Sequence, residues 1–200
     1  MTIKHILQHL YLVIMSGMFT IIFGLVLGIS IYFYKSIRSA VLWIVDILQT
    51  IPVLALLGFI MIFFGASTTT VIIGLTLYAL LPVVRNTYVG LIGIEPGIKE
   101  AAKGIGMNKW QQLKKVEIPN ALPIIITGIR ISIVTTIGNA VFAYIVGAGG
   151  LGQTIRHAMH IQNLNTILYA TLVLVVMAVF FDSSLGYAEK KLKKEKRRFS

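Results

Sequence analysis

The chain has no cysteine and few charged residues: seven acidic side chains, and 12% charged residues in a total of 200. Without cysteine it can form no disulfide framework and perform no thiol chemistry, and its redox compartment cannot be inferred. The scarcity of charge, with 56% hydrophobic residues and a mean hydropathy of +0.86, excludes an ordinary soluble domain. A soluble chain of this length could not bury so much apolar surface, so the composition predicts an integral membrane protein.

Five apolar runs are long enough to cross a bilayer, which requires about 20 apolar residues per helix. These candidate spans cover residues 10–33, 40–64, 70–94, 122–147 and 166–188. The first is too long for a signal peptide and no A-x-A cleavage site follows it, so we expect it to remain as a span. Pro52 and Pro82 lie inside the second and third runs and are expected to kink or break those helices.

Basic residues collect on one side of the predicted topology. That side holds the basic residues of the short loops and of the tail at 189–200: Lys35, Arg38, Lys99, Lys103, Lys109, Lys114, Lys115, Lys190, Lys191, Lys193, Lys194, Lys196, Arg197 and Arg198. The other side has only Lys4 and Arg156. The positive-inside rule therefore places the N-terminus outside and the C-terminus in the cytoplasm of a multi-pass cell-membrane protein. The net charge of +11 then predicts contact with anionic lipid headgroups rather than nucleic acid.

Ionisable side chains occur at four positions within or at the ends of the spans: Asp46, Arg85, Arg130 and Asp182. A central charge costs about 2.5–3.5 kcal/mol on membrane-insertion scales. We therefore expect an intramembrane charge network, with Asp46 or Asp182 paired to Arg130. The alternative is that the two arginines snorkel to the membrane interface.

A polar face on the fourth span is the best sequence candidate for the lining of a transport pathway. Offsets of three, four and seven residues place four polar side chains on one side of the helix: Ser132, Thr135, Thr136 and Asn139. Gln49 lies beside the expected bend at Pro52, which suggests a second stretch that faces a cavity. The alternatives are hydrogen bonds between helices for the polar face, and a kink needed only for packing at Pro52.

A stripe of small residues recurs every four positions in the first span: Ser16, Thr20, Gly24 and Gly28. Small residues allow two helix backbones to approach closely. We favour packing within the chain over a seam between two copies.

The run Gly147–Gly152 matches the pattern G-x-G-x-x-G, but a transmembrane helix precedes it and the topology places it outside. Nucleotide binding is therefore rejected. The run is either a flexible end of the fourth span or an element that closes or docks at the outer mouth. His157 and His160 lack a third ligand nearby, so no metal site is predicted. No Walker lysine or nucleophile–base pair is present, so we predict no catalytic residue and no directly bound cofactor.

Residues 95–119 form a charged, helix-forming segment between two apolar spans. Pro96 suits the first turn of a helix, Gly104 and Gly106 should break it, and Asn108 can cap a second helix. Pro119 should end that second helix. In this second helix, Trp110, Leu113 and Val116 recur at a spacing of three and should share one face. Another set is left for water or a partner: Lys109, Gln112 and Lys115. Such a segment could also lie on the membrane surface as an amphipathic loop.

The spacing of this segment closely resembles the EAA loop of binding-protein-dependent ABC importer permeases. The matching positions are Glu100, Ala101, Ala102, Gly106, Val116, Ile118 and Pro119. The family ends this loop with I-x-L-P, and here valine and isoleucine replace isoleucine and leucine. Residues 51–59 and 78–88 resemble the glycine betaine/carnitine/choline permeases, and the run G-A-G-G-L-G resembles the osmoprotectant and methionine branches.

The resemblance implies an all-α, type I importer permease with a single permease domain over residues 1–200. Residues 95–119 would form the coupling helices that contact a cytoplasmic ATPase dimer, which would hold ATP and magnesium. An identical or sibling permease and an extracytoplasmic substrate-binding protein would complete the importer. Import of compatible solutes by alternating access is the implied function. The alternatives are a permease for another small solute such as methionine, and a membrane scaffold that transports nothing.

Overall fold

The structure is a computed structural model that describes residues 2–196. Every regular element in that part of the chain is a helix. The ten α-helices found there are α1 Ile3–Phe33, α2 Lys35–Thr50, α3 Val53–Phe64, α4 Thr68–Tyr78, α5 Leu80–Ile92, α6 Pro96–Gly104, α7 Lys109–Gln112, α8 Ile118–Asn139, α9 Leu151–His160 and α10 Leu164–Lys196. A π-helical segment, Leu113–Glu117, joins α7 to α8, and a 3₁₀ segment, Ala140–Val146, extends α8. The all-α fold expected from the sequence is confirmed. Arg197 and Arg198 of the basic tail lie outside the described residues.

Within the described residues, four helical stretches are long and apolar enough to cross a membrane on their own. They are Ile3–Phe33, Thr68–Ile92, Lys109–Val146 and Leu164–Lys194. Helices α2 and α3 qualify together as a fifth, with a bend of 104° between them. The bend follows from Pro52, because the residue before a proline is driven out of helical geometry. Ile51 accordingly has an extended backbone, with φ −66° and ψ 128°.

The third span is interrupted at Ala79, three residues before the proline that was expected to break it. Pro82 instead lies in the first turn of α5, where a missing N–H does no harm because it would have no partner within the helix. The interruption leaves the Ala79 carbonyl available, and the Ser132 hydroxyl of α8 donates a hydrogen bond to it at 2.9 Å.

Helix α1 packs against α4 and α5 through its small-residue stripe, all of which is buried: Ser16, Thr20, Gly24 and Gly28. A Cβ atom on Gly24 would come within 2.7 Å of the Val83 side chain, and one on Gly28 would come within 2.6 Å of Thr87. Neither position can accept a larger residue without moving α5. The interpretation of the stripe as packing within the chain is confirmed.

Helix α10 is the least enclosed of the spans, with only 6% of its most apolar window buried. It packs mainly against α8 and α9 and leaves a broad apolar surface uncovered. In a membrane protein such a surface suits lipid tails, which solvate apolar side chains as well as another helix does.

The bundle end opposite residues 95–119 contains a helix that the sequence analysis missed, α9. The glycine-rich run leads into it through a turn with positive φ at Gly147, Gly149 and Gly150. The N-terminal part of α1 holds this turn, because Gln8 Oε1 accepts the Gly150 N–H at 3.4 Å. Deeper in the same part of α1, buried His9 contacts the Ile137 carbonyl through Nε2 at 3.1 Å.

Candidate functional site

The loop at residues 95–119 begins with α6, which ends in a Schellman turn. The Met107 N–H donates to the Ala102 carbonyl at 3.2 Å, and the Gly106 N–H donates to the Lys103 carbonyl at 2.9 Å. This pattern requires a left-handed residue just past the helix, and Gly106 supplies it with φ +80°. The prediction that this helix ends at Gly104 and Gly106 is confirmed: Gly104 is the last residue of α6, and the chain reverses at Gly106.

The second helix of the loop begins with a capping box, which confirms Asn108 as its cap. Asn108 Oδ1 accepts the Gln111 N–H at 2.9 Å, and Gln111 Oε1 accepts the Asn108 N–H at 2.9 Å. The expectation that Pro119 ends this helix was wrong, because the helical stretch runs from Lys109 to Val146. A π turn ends at Glu117, two residues before Pro119. Pro119 lies in the first turn of α8 and cannot donate to a carbonyl one turn back.

The faces of the second helix are the reverse of those predicted from spacing at two positions. Trp110 is 68% exposed, whereas Gln112 is buried and donates from Nε2 to the Met107 carbonyl at 2.6 Å. The buried residues of this stretch are Gln112, Leu113 and Glu117, so a constant spacing of three does not describe one face here.

A group of solvent-exposed residues lies on this loop, and we call it the loop surface. Its residues are Glu100, Ala101, Ile105, Gly106 and Trp110. Two large apolar side chains stand out in it, since Ile105 is 74% exposed and Trp110 is 68% exposed. Ala102 points the other way and is buried. Of the remaining loop positions, Val116 and Ile118 are half-buried and Pro119 is exposed.

Three polar side chains fix the loop to the end of α1, and the sequence analysis anticipated none of their contacts. The Tyr32 hydroxyl donates to Glu117 Oε1 at 2.8 Å. Lys99 Nζ donates to the Leu91 carbonyl at 2.9 Å and to the Tyr32 oxygen at 3.3 Å. The one available signal was Glu117 itself, an acid inside the apolar V-E-I-P run.

The four ionisable residues of the spans form two separate pairs in the structure. Arg130 donates through Nε and Nη2 to the two carboxylate oxygens of Asp182, at 2.6 and 2.7 Å. Arg85 donates through Nη2 to both oxygens of Asp46, at 2.8 and 3.0 Å. The first pair is one of the two alternatives raised from the sequence, and the second was not anticipated.

The polar face of α8 is partly used for packing. Ser132 and Thr136 are buried, and the Thr136 hydroxyl donates to the Ser132 carbonyl at 2.8 Å. Thr135 and Asn139 are only half-buried, which leaves part of each side chain accessible. At the bend between α2 and α3, Gln49 is half-buried and Pro52 is exposed. A role of these residues in a pathway stays a prediction.

We predict that Arg130→Met lowers the thermal unfolding midpoint of the purified protein more than the double change Arg130→Met with Asp182→Leu. The single change leaves a carboxylate without its partner, whereas the double change removes both charges. The measurement is a thermal melt in detergent, with Asp182→Leu alone completing the cycle. Equal midpoints for the single and double variants would contradict a pairing role.

The bundle of membrane-spanning helices, with an exposed loop of two short helices at one end, defines the class: a polytopic membrane protein. The chain belongs to the family described as the binding-protein-dependent transport system inner membrane component, which matches residues 20–194. It is therefore a membrane component of a transport system.

Named relatives match nearly the whole chain. The glycine betaine/carnitine/choline transport system permease protein OpuCD of Bacillus subtilis (strain 168) is 39% identical over 196 residues, covering 96% of this chain and 86% of the relative. The carnitine transport permease protein OpuCD of Listeria monocytogenes is 40% identical over 190 residues, covering 94% and 83%. The osmoprotectant import permease protein OsmW of Salmonella typhimurium is 38% identical over 180 residues, covering 88% and 84%.

Solved structures show the same fold. The inward-facing MetNI methionine ABC transporter matches with a TM-score of 0.86 and 24% identity over 95% of each chain. A structure described as an amino acid ABC transporter with histidines matches with a TM-score of 0.78 and 19% identity, covering 94% of this chain and 92% of that one. The type I importer permease fold predicted from the sequence is confirmed.

Proposed function

We propose that this permease imports compatible solutes that carry a quaternary ammonium group: glycine betaine, carnitine and choline. The support is the agreement of the named relatives, which span most of this chain at 38–40% identity and are described as permeases for these solutes or for osmoprotectants. The whole chain, residues 1–200, acts as one permease domain.

The loop surface is the contact for a cytoplasmic ATPase dimer that holds ATP and magnesium. It combines exposed apolar side chains with one acid, Glu100, whose carboxylate can accept hydrogen bonds from a partner backbone or pair with its arginine. The N-terminus lies outside and the C-terminus inside, so the loop and the basic tail face the cytoplasm. A substrate-binding protein delivers solute to the opposite end, and an identical or sibling permease completes the pathway.

The continuity of the helical stretch Lys109–Val146 is the observation that carries the mechanism. Because α7, the π segment and α8 form one stretch, a displacement at Trp110 moves the span that bears the polar face. The contacts among Lys99, Tyr32 and Glu117 transmit the same displacement to α1. Closure of the ATPase dimer on ATP therefore reorients the bundle, which opens the pathway alternately to the two sides.

The pathway is lined by the exposed parts of Thr135 and Asn139 on α8 and by Gln49 beside the bend at Pro52. Ser132 holds this face against the break between α4 and α5, because its hydroxyl donates to the Ala79 carbonyl. The Thr136 hydroxyl donates within α8, to the Ser132 carbonyl. Non-helical backbone at membrane depth needs protein or water beside it, which favours a cavity at the bend.

The direct test is solute uptake by proteoliposomes that contain the permease with its ATPase and binding protein. We expect ATP-dependent uptake of labelled glycine betaine, which unlabelled carnitine and choline reduce and methionine does not. Competition by methionine alone would assign a different cargo. A failure to co-purify with any ATPase would instead favour a scaffold without transport.

A further inference from the structure

An ion pair lies half-exposed on the face formed by α2 and α5. The side chains of Arg85 and Asp46 keep 53% and 42% of their surface accessible, although both residues lie inside membrane-spanning elements. Hydrocarbon cannot solvate such a pair, so this face must meet water or protein. Arg85 has not extended toward a helix end, because Asp46 holds its guanidinium by two hydrogen bonds.

The hydrogen-bonding capacity of this pair is only partly used. Arg85 contacts Asp46 through Nη2 alone, and within residues 2–194 its Nε and Nη1 make no hydrogen bond. Arg130 differs, because Nε and Nη2 both donate to Asp182 and Nη1 lies 3.5 Å from Glu189. Each guanidinium nitrogen of Arg130 therefore has an acidic partner, whereas Arg85 retains N–H donors for one more carboxylate.

An exposed aromatic ring lies next to the acid of this pair. Trp43 is 66% exposed and precedes Asp46 by three residues, so the two side chains are neighbours on one face of α2. The face of a tryptophan attracts quaternary ammonium groups within about 6 Å of its centroid. The carboxylate of Asp46 adds attraction for the same positive charge.

We propose that Trp43, Asp46 and Arg85 form a transit site for zwitterionic solutes with a quaternary ammonium group and a carboxylate. The ammonium group lies on the Trp43 ring beside Asp46, and the carboxylate accepts hydrogen bonds from Nε and Nη1 of Arg85. This assignment rests on the proposed function and identifies where the solute touches the permease. Choline, which has no carboxylate, uses only the Trp43 and Asp46 part.

The test compares uptake of glycine betaine and choline by proteoliposomes that contain the complete importer. In the variant Asp46→Arg with Arg85→Asp, the ion pair is kept but the guanidinium lies beside Trp43. We expect uptake of both solutes to fall about tenfold or more, as for loss of a charge-assisted contact. Stimulation of ATP hydrolysis by the loaded binding protein should persist, since the loop is unchanged. Uptake at the wild-type rate would show that the pair is only structural and would overturn the site.

A second set of variants does not disturb the ion pair. Trp43→Leu removes the ring and should reduce uptake of both solutes, whereas Trp43→Phe retains an aromatic face and should restore most of it. Phe180→Leu is the matched control, because this α10 ring is 65% exposed and far from the pair in sequence. An equal effect of Trp43→Leu and Phe180→Leu would overturn the role of the ring. If the wild-type importer moves neither solute, the proposed function itself fails, and the site fails with it.

Discussion

Proline at position 106 is expected to reduce solute uptake at least about tenfold, while the protein still inserts and accumulates in the membrane. Gly106 has φ +80°, and proline is restricted to φ near −65°, so the reversal after α6 cannot form. The Gly106 N–H bond to Lys103 is also lost, because proline has no N–H. The loop surface then no longer has the geometry that we propose contacts the ATPase. The measurement is uptake by proteoliposomes together with the ATPase rate.

Gly104→Ala is the matched control, two residues earlier in the same loop. Gly104 is helical and a Cβ atom there would meet nothing within 4 Å, so uptake should stay at the wild-type level. Glu100→Lys reverses an exposed charge without changing the turn and should also uncouple ATP hydrolysis from transport. Uptake at the wild-type rate by Gly106→Pro would show that the geometry of this turn is not needed to couple ATP hydrolysis to transport.

Alanine at position 128 is expected to lower the thermal unfolding midpoint in detergent by about 2–10 °C. A Cβ atom on Gly128 would lie 2.5 Å from the Pro82 carbonyl oxygen and 2.7 Å from Asn86 Cβ. Neither neighbour can move easily, since Asn86 Nδ2 donates to the same carbonyl at 2.8 Å. Helices α5 and α8 must therefore separate, which costs about 1–3 kcal/mol as overpacking.

Gly138→Ala provides the comparison, on the same helix and ten residues further on. No atom lies within 4 Å of the position its Cβ would take, so its midpoint should remain within about 2 °C of wild type. Similar midpoints for the two variants would mean that close contact between α5 and α8 does not stabilise the bundle.

The long apolar spans, the bend at Pro52 and the cap at Asn108 could be predicted because each depends on local chemistry. Apolar length, the missing N–H of proline and the capping side chain act within a few residues. The position of the break near Pro82 could not be predicted. The sequence does not show that α5 begins early enough to place Pro82 in its first turn. The buried position of Gln112 was not predicted, because a constant spacing of three assigned it to the face opposite Leu113, whereas both residues are buried.

The contacts that the sequence did not predict are mainly those between residues far apart in the chain. The pairing of Arg85 with Asp46, and of Tyr32 with Glu117, depends on how α1, α2, α5 and the loop pack together. Sequence spacing gives the face of one helix but not which neighbour it meets. The loop positions in the E-A-A motif were recognisable because their pattern is local, and the structure shows that Glu100 and Ala101 face outward while Ala102 is buried.

The most direct test of the account is the side of the membrane on which residues 95–119 lie. Because the chain has no cysteine, the labelling of a single introduced cysteine has no background from other thiols of the chain. Lys103→Cys and Gln153→Cys place exposed thiols at the two ends of the bundle. With a membrane-impermeant maleimide on intact cells, we expect labelling of Gln153→Cys at once and of Lys103→Cys only after permeabilisation. Labelling of Lys103→Cys in intact cells would contradict contact between this loop and a cytoplasmic ATPase.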